Sequence, residues 1–269
     1  MDIPVVGYYK PWLLFWITDI FAAGYFYYAL YRKWRGWARG TNQPPMSGVK
    51  WRRVVKISLA EVLLQRQLLA LSPFRWLIHI LIFWGFIGLT LLSASLFIAG
   101  RAGLQGVGGY ETRYILIKLW GDGFGLVLLV GLTAAGIRRL LERPTLQTSN
   151  QVDVVLLVFL FWLTLSGFVL EGLRLCLMPS EVARYSFVGR LFVPPGDYTL
   201  AQLRPWLTTV WVLHCFSGLA LFVYLPNSKL LHSILAPVVI TMNAVEEEGR
   251  EDLYWPQIRK HRPTGLPKA

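Results

Sequence analysis

Four histidines are the residues of this sequence with the clearest capacity for chemistry. His79 and His214 lie inside long apolar stretches. His232 follows the second of these stretches, and His261 lies near the end of the chain. An ionisable side chain within hydrocarbon is costly to bury and is usually functional. The alternative for any one position is a neutral imidazole that forms a hydrogen bond to a neighbouring helix.

The spacing of two of these histidines matches a whole number of helical turns. His214 and His232 are eighteen residues apart in the sequence. On one continuous α-helix this is five turns, so both would face the same way, ~27 Å apart along the helix axis. Pro226 lies between them, and a kink there would shorten the separation. This arrangement would suit two cofactors stacked through the thickness of a membrane.

His79 supplies a possible partner for His232. Their helices run in opposite directions, so both imidazoles are predicted near the same membrane face, as the axial ligands of a six-coordinate b-type haem. Zinc is less favoured, because a structural zinc site takes four ligands. Arg75 and Lys229, four and three residues before these histidines, are candidates to pair with haem propionates. The alternative is that both basic side chains simply reach the membrane surface.

Glycines close to the histidines would leave room for a flat macrocycle. Gly218 is one turn beyond His214, and Gly85 and Gly88 follow His79. Glycines are also common at ordinary contacts between membrane helices, which is the alternative interpretation.

The elements that must position these residues are membrane helices. Of 269 residues, 55% are hydrophobic and only 16% are charged, whereas soluble chains carry about 25% charged residues. This excludes disordered, collagen-like and disulfide-scaffold proteins. The two cysteines are too few for an iron–sulfur cluster held by this chain alone. Absence of a CxxCH motif excludes covalent haem, and the charge of +12 is spread between apolar runs, which argues against nucleic acid.

Five stretches are long and apolar enough to span a bilayer. They are predicted as helices over residues 12–31, 76–99, 114–136, 152–175 and 205–225. Nineteen of the 27 basic residues fall in 32–75, 138–151 and the chain from 226 onward. The positive-inside rule therefore predicts an N-out, C-in orientation. The fold class is an all-α integral membrane protein of the cytoplasmic (inner) membrane, built as a five-helix bundle.

Two further segments are predicted on the cytoplasmic side. Residues 58–70 (SLAEVLLQRQLLA) form a short amphipathic helix that lies on the membrane or against a partner. The membrane domain covers residues 1–242, and residues 243–269 form a charged cytoplasmic tail.

Two stretches carry a family resemblance. RWLIHILIFWGFIGL (residues 75–89) resembles helix two of the nitrate reductase gamma-type cytochrome b subunits. LHCFSGLALFVYLPNSKLLHSILAP (residues 213–237) is similar to their helix five, with the same histidine spacing and the intervening proline. The likeness points in particular to the branch that serves sulfite-reduction and heterodisulfide-reductase-like complexes (DsrM, HdrE and relatives).

The resemblance implies one firmly held haem b and leaves a second open. The two histidines that bind the inner haem in the resembled family correspond directly to His79 and His232. The outer haem would have His214, but Leu89 occupies the position of its helix-two histidine. Either that haem is absent or its axial ligand is unusual. The candidates are Met178, Lys118 and, more weakly, the thiols of Cys176 and Cys215.

The resemblance implies electron exchange between a membrane quinone, such as menaquinone, and a partner subunit. That partner is a cytoplasmic iron–sulfur protein of the heterodisulfide reductase or DsrK type. The chain would thus be the quinone-reactive subunit of a respiratory oxidoreductase complex rather than a complete enzyme. An alternative is a haem-free membrane anchor or assembly subunit, which Leu89 favours. A transporter is less favoured, because inverted repeats are not visible.

A quinone site must handle protons and therefore needs polar groups. Lys118 lies roughly where the resembled family has a quinone-site lysine. Glu171 and Asp122, also near the predicted outer face, are the other candidates. The alternative for all three is an interfacial charge that touches lipid headgroups.

Overall fold

The computed structural model of the chain is all-helical and describes residues 12–38, 51–101, 110–141, 151–177, 183–233 and 235–245. Five helices are long and apolar enough to cross a membrane, and they define a multi-pass membrane protein. They are α1 (Trp12–Ala38), α4 (Pro73–Arg101), α5 (Tyr110–Leu141), α6 (Gln151–Leu175) and α7 (Leu200–Tyr224). The predicted five-helix fold class is confirmed. The charged tail from residue 246 and the loop 41–50 lie outside the described residues.

The spanning helices are longer than predicted because they continue into polar flanks. α1 extends seven residues beyond 31, through Arg32, Lys33 and Arg35. α7 begins five residues before Pro205. Its start is fixed by Thr199 and Gln202: the Thr199 N–H donates to Gln202 Oε1 over 2.9 Å. This is one half of a capping box, and it satisfies a backbone donor that a helix start leaves open.

The chain forms two compact units. The first contains residues 1–24 and 74–223, which include α4 to α7. Within it, Leu203, Leu207 and Trp211 of α7 form a buried apolar cluster against Phe15 and side chains of α6. The rings of Phe15 and Trp211 lie 5.5 Å apart. Helix α7 is thereby fixed against α1 and α6.

Helices α4 and α5 approach each other closely at a glycine. A Cβ atom added to Gly85 would lie 2.6 Å from the backbone nitrogen of Leu128. A Cβ atom added to Gly88 would likewise meet the ring of Phe124. The carbonyl of Gly88 accepts a 2.8 Å hydrogen bond from Trp120 Nε1. The face of α4 that carries both glycines is therefore occupied by α5. Of the two interpretations offered for these glycines, the structure shows the helix contact and not space for a macrocycle.

The second unit contains residues 25–73 and 224–269. The predicted amphipathic helix 58–70 is divided here into α2 (Trp51–Leu63) and α3 (Arg66–Leu71). The break falls at Gln65, whose φ of 50° lies in the left-handed region. A continuous helix cannot pass through this backbone conformation.

A short apolar helix, α8 (Leu235–Val245), was not predicted from the sequence. Val54 of α2 is 1% exposed and forms a cluster with Ala244 and Val245. The hydroxyl oxygens of Thr241 and Ser58 lie 3.1 Å apart, within hydrogen-bond distance. Helix α2 is thus held by α8 through its buried face.

Candidate functional site

His214 lies on the face of α7 that packs against α6. Its Nδ1 atom is 3.0 Å from the hydroxyl oxygen of Ser166. A Cβ atom added to Gly167 would lie 3.2 Å from His214 Cε1. The glycine and the serine together form the surface of α6 on which the imidazole rests.

The hydrogen bonds of His214 allow a tautomer that leaves Nε2 free. The Ser166 hydroxyl has a single proton and two acceptors within reach, the Leu163 carbonyl at 3.1 Å and His214 Nδ1 at 3.0 Å. When the Leu163 carbonyl receives that proton, the serine oxygen accepts from His214 Nδ1–H, and the lone pair of the neutral imidazole is on Nε2. Histidines that bind metals almost always have their other nitrogen engaged in this way. In this tautomer His214 could ligate a metal through Nε2.

His232 has a similar local arrangement. Its Nδ1 atom faces the carbonyl oxygen of Lys229 in the preceding 3-10 turn (Lys229–Leu231). This turn begins at Ser228, whose Oγ accepts from the Leu230 N–H over 3.1 Å. A carbonyl can only accept, so Nδ1 carries the proton and Nε2 the lone pair. The His232 side chain is exposed.

The helix that carries His214 ends before it reaches His232. α7 stops at Tyr224 and is followed by two 3-10 turns, with Pro226 at the start of the first. The five-turn periodicity expected between the two histidines is therefore wrong as a description of the backbone. The cause is local, since proline removes the N–H that would continue the α-helical ladder.

His79 and the two propionate candidates differ in their exposure to solvent. His79 is half-buried on α4 in the first unit, next to buried Ile78. Arg75, one turn earlier on the same helix, is exposed. Lys229 and His232 belong to the second unit and are both exposed.

The three quinone-site candidates are brought together at one end of α5 and α6. Lys118 is 5% exposed and forms an ion pair with Glu171 Oε1. Arg174, one turn further along α6, places Nη1 3.6 Å from Glu171 Oε2. A buried lysine requires such a partner, because an isolated ammonium is strongly disfavoured away from water. The side chains of Lys118 and Glu171 are 5% and 14% exposed, so protein atoms cover most of their surface.

Asp122, one turn beyond Lys118 on α5, is 4% exposed and accepts hydrogen bonds from one loop segment. The N–H groups of Val188 and Gly189 donate to its Oδ2 over 2.7 and 3.1 Å. The Ser186 hydroxyl lies 3.2 Å from the same oxygen. The carboxylate therefore fixes the start of the 3-10 helix Gly189–Phe192.

The sequence interpretation missed the serines of this region. Ser166 holds His214, and Ser186 bridges Asp122 and Glu171. A polar residue within the apolar stretch of α6 was a usable signal for Ser166. Ser186 lies in a loop without a motif, and nothing in the local sequence singles it out.

Two of the proposed sixth ligands are engaged elsewhere. The amine of Lys118 is paired with Glu171. The Cys176 thiol lies 3.4 Å from the carbonyl of Gly172, and burial raises the pKa of this thiol. Cys215 packs against the apolar cluster of α7. Met178 lies outside the described residues.

The residues around His214 fit a haem by their chemistry. In the tautomer that Ser166 allows, the imidazole presents Nε2 with the lone pair. One turn along α7, a Cβ atom added to Gly218 would meet nothing within 4 Å. Among the described residues, no group of three or more His, Cys, Asp or Glu side chains could hold a bare metal ion. A haem needs only axial ligands from the protein, and a neutral imidazole is one of these.

Comparison with known proteins gives a consistent family. The model of the HdrE family, a component of dihydromethanophenazine:CoB--CoM heterodisulfide reductase, matches residues 55–240. The HdrE protein of Methanosarcina barkeri is 29% identical over 194 residues, which are 71% of this chain and 66% of that protein. The Methanosarcina thermophila protein is 27% identical over 211 residues, which are 77% of this chain and 72% of that protein.

The match to the M. barkeri protein spans just under two thirds of that protein's length. No solved structure matches the chain significantly. The family match nevertheless covers all of α4, α5, α6 and α7, and with them His79, His214, His232 and the cluster around Lys118. The chain belongs to the HdrE family of heterodisulfide reductase membrane proteins.

Proposed function

We propose that this chain is the electron-transfer subunit of a membrane oxidoreductase complex of the heterodisulfide reductase type. It exchanges electrons between a carrier dissolved in the membrane and an iron–sulfur subunit on the cytoplasmic side. The observation that carries the proposal is the geometry of His214, whose Nδ1 is engaged by Ser166, so that Nε2 is the ring nitrogen left to bind a metal. An imidazole held in this way deep in a membrane helix is suited to bind haem iron.

The residues that would hold haem b are His79 with His232, and His214 for a second haem. When bound, haem supplies one-electron chemistry within the bilayer. The protein contributes the orientation of the imidazoles, through Ser166 and the Lys229 carbonyl. The exposed side chains of Arg75 and Lys229 remain the candidates for the propionates.

The carrier site is proposed at the cluster of Lys118, Glu171 and Asp122. Oxidation of a quinol or of a dihydrophenazine releases two protons with the two electrons, so the site needs proton acceptors. The Glu171 carboxylate, which is paired with Lys118, is a group that can accept such a proton. The names of the relatives specify dihydromethanophenazine, and we propose a carrier of this phenazine or quinone class here. The N-out orientation would put this cluster near the outer face.

An absorption spectrum of the purified, dithionite-reduced protein tests the haem. A sharp alpha band of low-spin haem b is expected, because two imidazoles give a six-coordinate iron. A featureless visible region would overturn this part and favour the alternative of a haem-free anchor, for which Leu89 is the supporting observation.

The carrier site is tested by replacement of its lysine. Lys118→Ala should slow reduction of the complex by menadiol about 100-fold, the effect typical of a lost proton-transfer group, and leave reduction by dithionite unchanged. Arg204→Ala, which changes an exposed basic side chain near the start of α7, is the matched control. Equal menadiol rates for Lys118→Ala and the wild type would contradict the proposed site.

A further inference from the structure

The loop segment 183–192 is attached to α5 by one carboxylate. Asp122 Oδ2 accepts from the N–H groups of Val188 and Gly189. The Ser186 hydroxyl is 3.3 Å from Oδ1 and 3.2 Å from Oδ2. Three donors of a single segment thus converge on one buried acid, and such charge-assisted bonds are stronger than neutral ones.

The same hydroxyl reaches the second acid of the cluster. Ser186 Oγ lies 3.4 Å from Glu171 Oε1, the oxygen that also pairs with Lys118. Ser186 is 0% exposed. A hydroxyl has a single proton, so Ser186 can donate to Asp122 or to Glu171 at any moment, but not to both. The bridge between the two acids is therefore a switchable hydrogen bond.

The absence of a side chain at one position permits this close approach. A Cβ atom added to Gly189 would lie 2.5 Å from Ser186 Oγ and 2.7 Å from Glu171 Cγ. A second attachment lies further along the segment, where the ring of Phe192 stacks on Phe168 of α6 at 5.7 Å. The segment is thus held at both ends of the 3-10 helix, by Asp122 at Gly189 and by Phe168 at Phe192.

We propose that Ser186 is a positioning residue for Glu171, and that segment 183–192 is a cover fixed by Asp122. The cover keeps water from the Lys118–Glu171 pair, and the hydroxyl orients Oε1 toward Lys118 Nζ. The charged groups that face Glu171 are Lys118 from α5 and Arg174 from α6, with Asp122 reached through Ser186. Asp122 also has a positioning role in this arrangement, because it holds the segment that carries Ser186. This inference rests on the proposed function of the Lys118–Glu171 pair in accepting protons from the carrier.

The test compares Ser186→Ala and Ser186→Cys in the intact membrane complex, with menadiol as the reductant. The thiol is close in size to the hydroxyl but is a weaker donor. We expect kcat to fall about tenfold for Ser186→Ala and by a smaller factor for Ser186→Cys. KM should stay within about twofold of the wild type, because the hydroxyl contacts the acids and not the carrier.

Two further variants complete the experiment. Gly189→Ala should lower kcat as Ser186→Ala does, because the added methyl group displaces the segment from Glu171. Ser95→Ala removes an exposed hydroxyl of α4 that bonds to the Leu92 carbonyl of its own helix and should have the wild-type kcat. Thermal unfolding of each variant in detergent identifies loss of the fold.

The outcomes separate this inference from the proposed function. If Ser186→Ala has the wild-type kcat while Glu171→Gln is strongly impaired, the positioning role is wrong and the carrier site stands. If Ser186→Ala and Ser186→Cys lose activity and thermal stability equally, the hydroxyl has only a structural role. If Glu171→Gln and Lys118→Ala also retain the wild-type kcat, the proposed function of the pair fails, and the inference with it.

Discussion

The hydroxyl oxygen of Ser166 on α6 lies 3.0 Å from Nδ1 of His214 on α7. When Ser166 donates to the Leu163 carbonyl, this contact engages Nδ1–H and leaves Nε2 as the nitrogen that can bind a metal. A single neutral side chain in the neighbouring helix thus restricts the ring orientation of the proposed ligand.

Ser166→Ala should weaken haem binding at His214. Outer partners of metal-binding histidines typically contribute 10- to 100-fold in affinity, so we expect a loss on the order of tenfold or more. Haem titration of the apoprotein measures it. Thr164→Val is the matched control, because Thr164 bonds to the Leu160 carbonyl of its own helix and its hydroxyl is also buried. Equal affinity for Ser166→Ala and the control would show that the serine does not support a ligand.

Replacement of the histidines one at a time should identify the haem ligands. His79→Ala and His232→Ala should each abolish the low-spin spectrum of the same haem, because iron left with one imidazole is five-coordinate. His214→Ala should remove about half of the haem if a second one is bound at this position.

Quantitative haem extraction from each variant measures these changes, with His261→Ala as the control. Loss of all haem in His214→Ala, together with a normal spectrum in His79→Ala, would show that the proposed pairing is wrong.

Gly85→Ala should destabilise the first unit. The added Cβ would lie 2.6 Å from the Leu128 backbone, so α4 and α5 must separate. Overpacking of this kind typically costs about 1–3 kcal/mol. Gly24→Ala is the matched control, since a Cβ atom there meets nothing within 4 Å. Thermal unfolding in detergent distinguishes the two, and equal midpoints would mean that the helices can relax at no cost.

The N-out, C-in orientation predicts which positions are accessible from outside. Cysteines introduced at Ser47 and Thr264 should react with a membrane-impermeant maleimide only after lysis. A cysteine at Asp197, an exposed residue between α6 and α7, should react in intact cells. If Ser47→Cys were labelled from outside and Asp197→Cys were protected, the orientation would be the opposite of the predicted one.

The spanning helices were predictable because hydropathy over some twenty residues reports burial in lipid directly. Their ends were not, since basic residues such as Arg32 and Lys33 can continue a helix beyond the hydrocarbon. The histidine periodicity failed for a related reason. It assumed one helix through Pro226, whereas the α-helix stops at Tyr224.

The residues of the polar cluster were predicted from the sequence, but their arrangement was not. Lys118, Glu171 and Asp122 were each singled out as charges near a helix end, but their mutual contacts were not foreseen. Ser186 joins residues that are 64 and 15 positions away in the sequence. No local pattern reports such a contact, because it depends on how the loop after α6 folds back over α5.

The pairing of α2 with α8 has a consequence for biosynthesis. Ser58 and Thr241, which bond to each other, are separated by 183 residues. At about 5–20 residues per second, the ribosome needs on the order of ten seconds or more to supply the partner of α2. During that interval Val54 has no α8 against which to bury. Helix α2 can therefore pack only after the last described helix of the chain has been synthesised. A polypeptide that ends before residue 235 would leave the apolar face of α2 uncovered and accessible to chaperones and proteases.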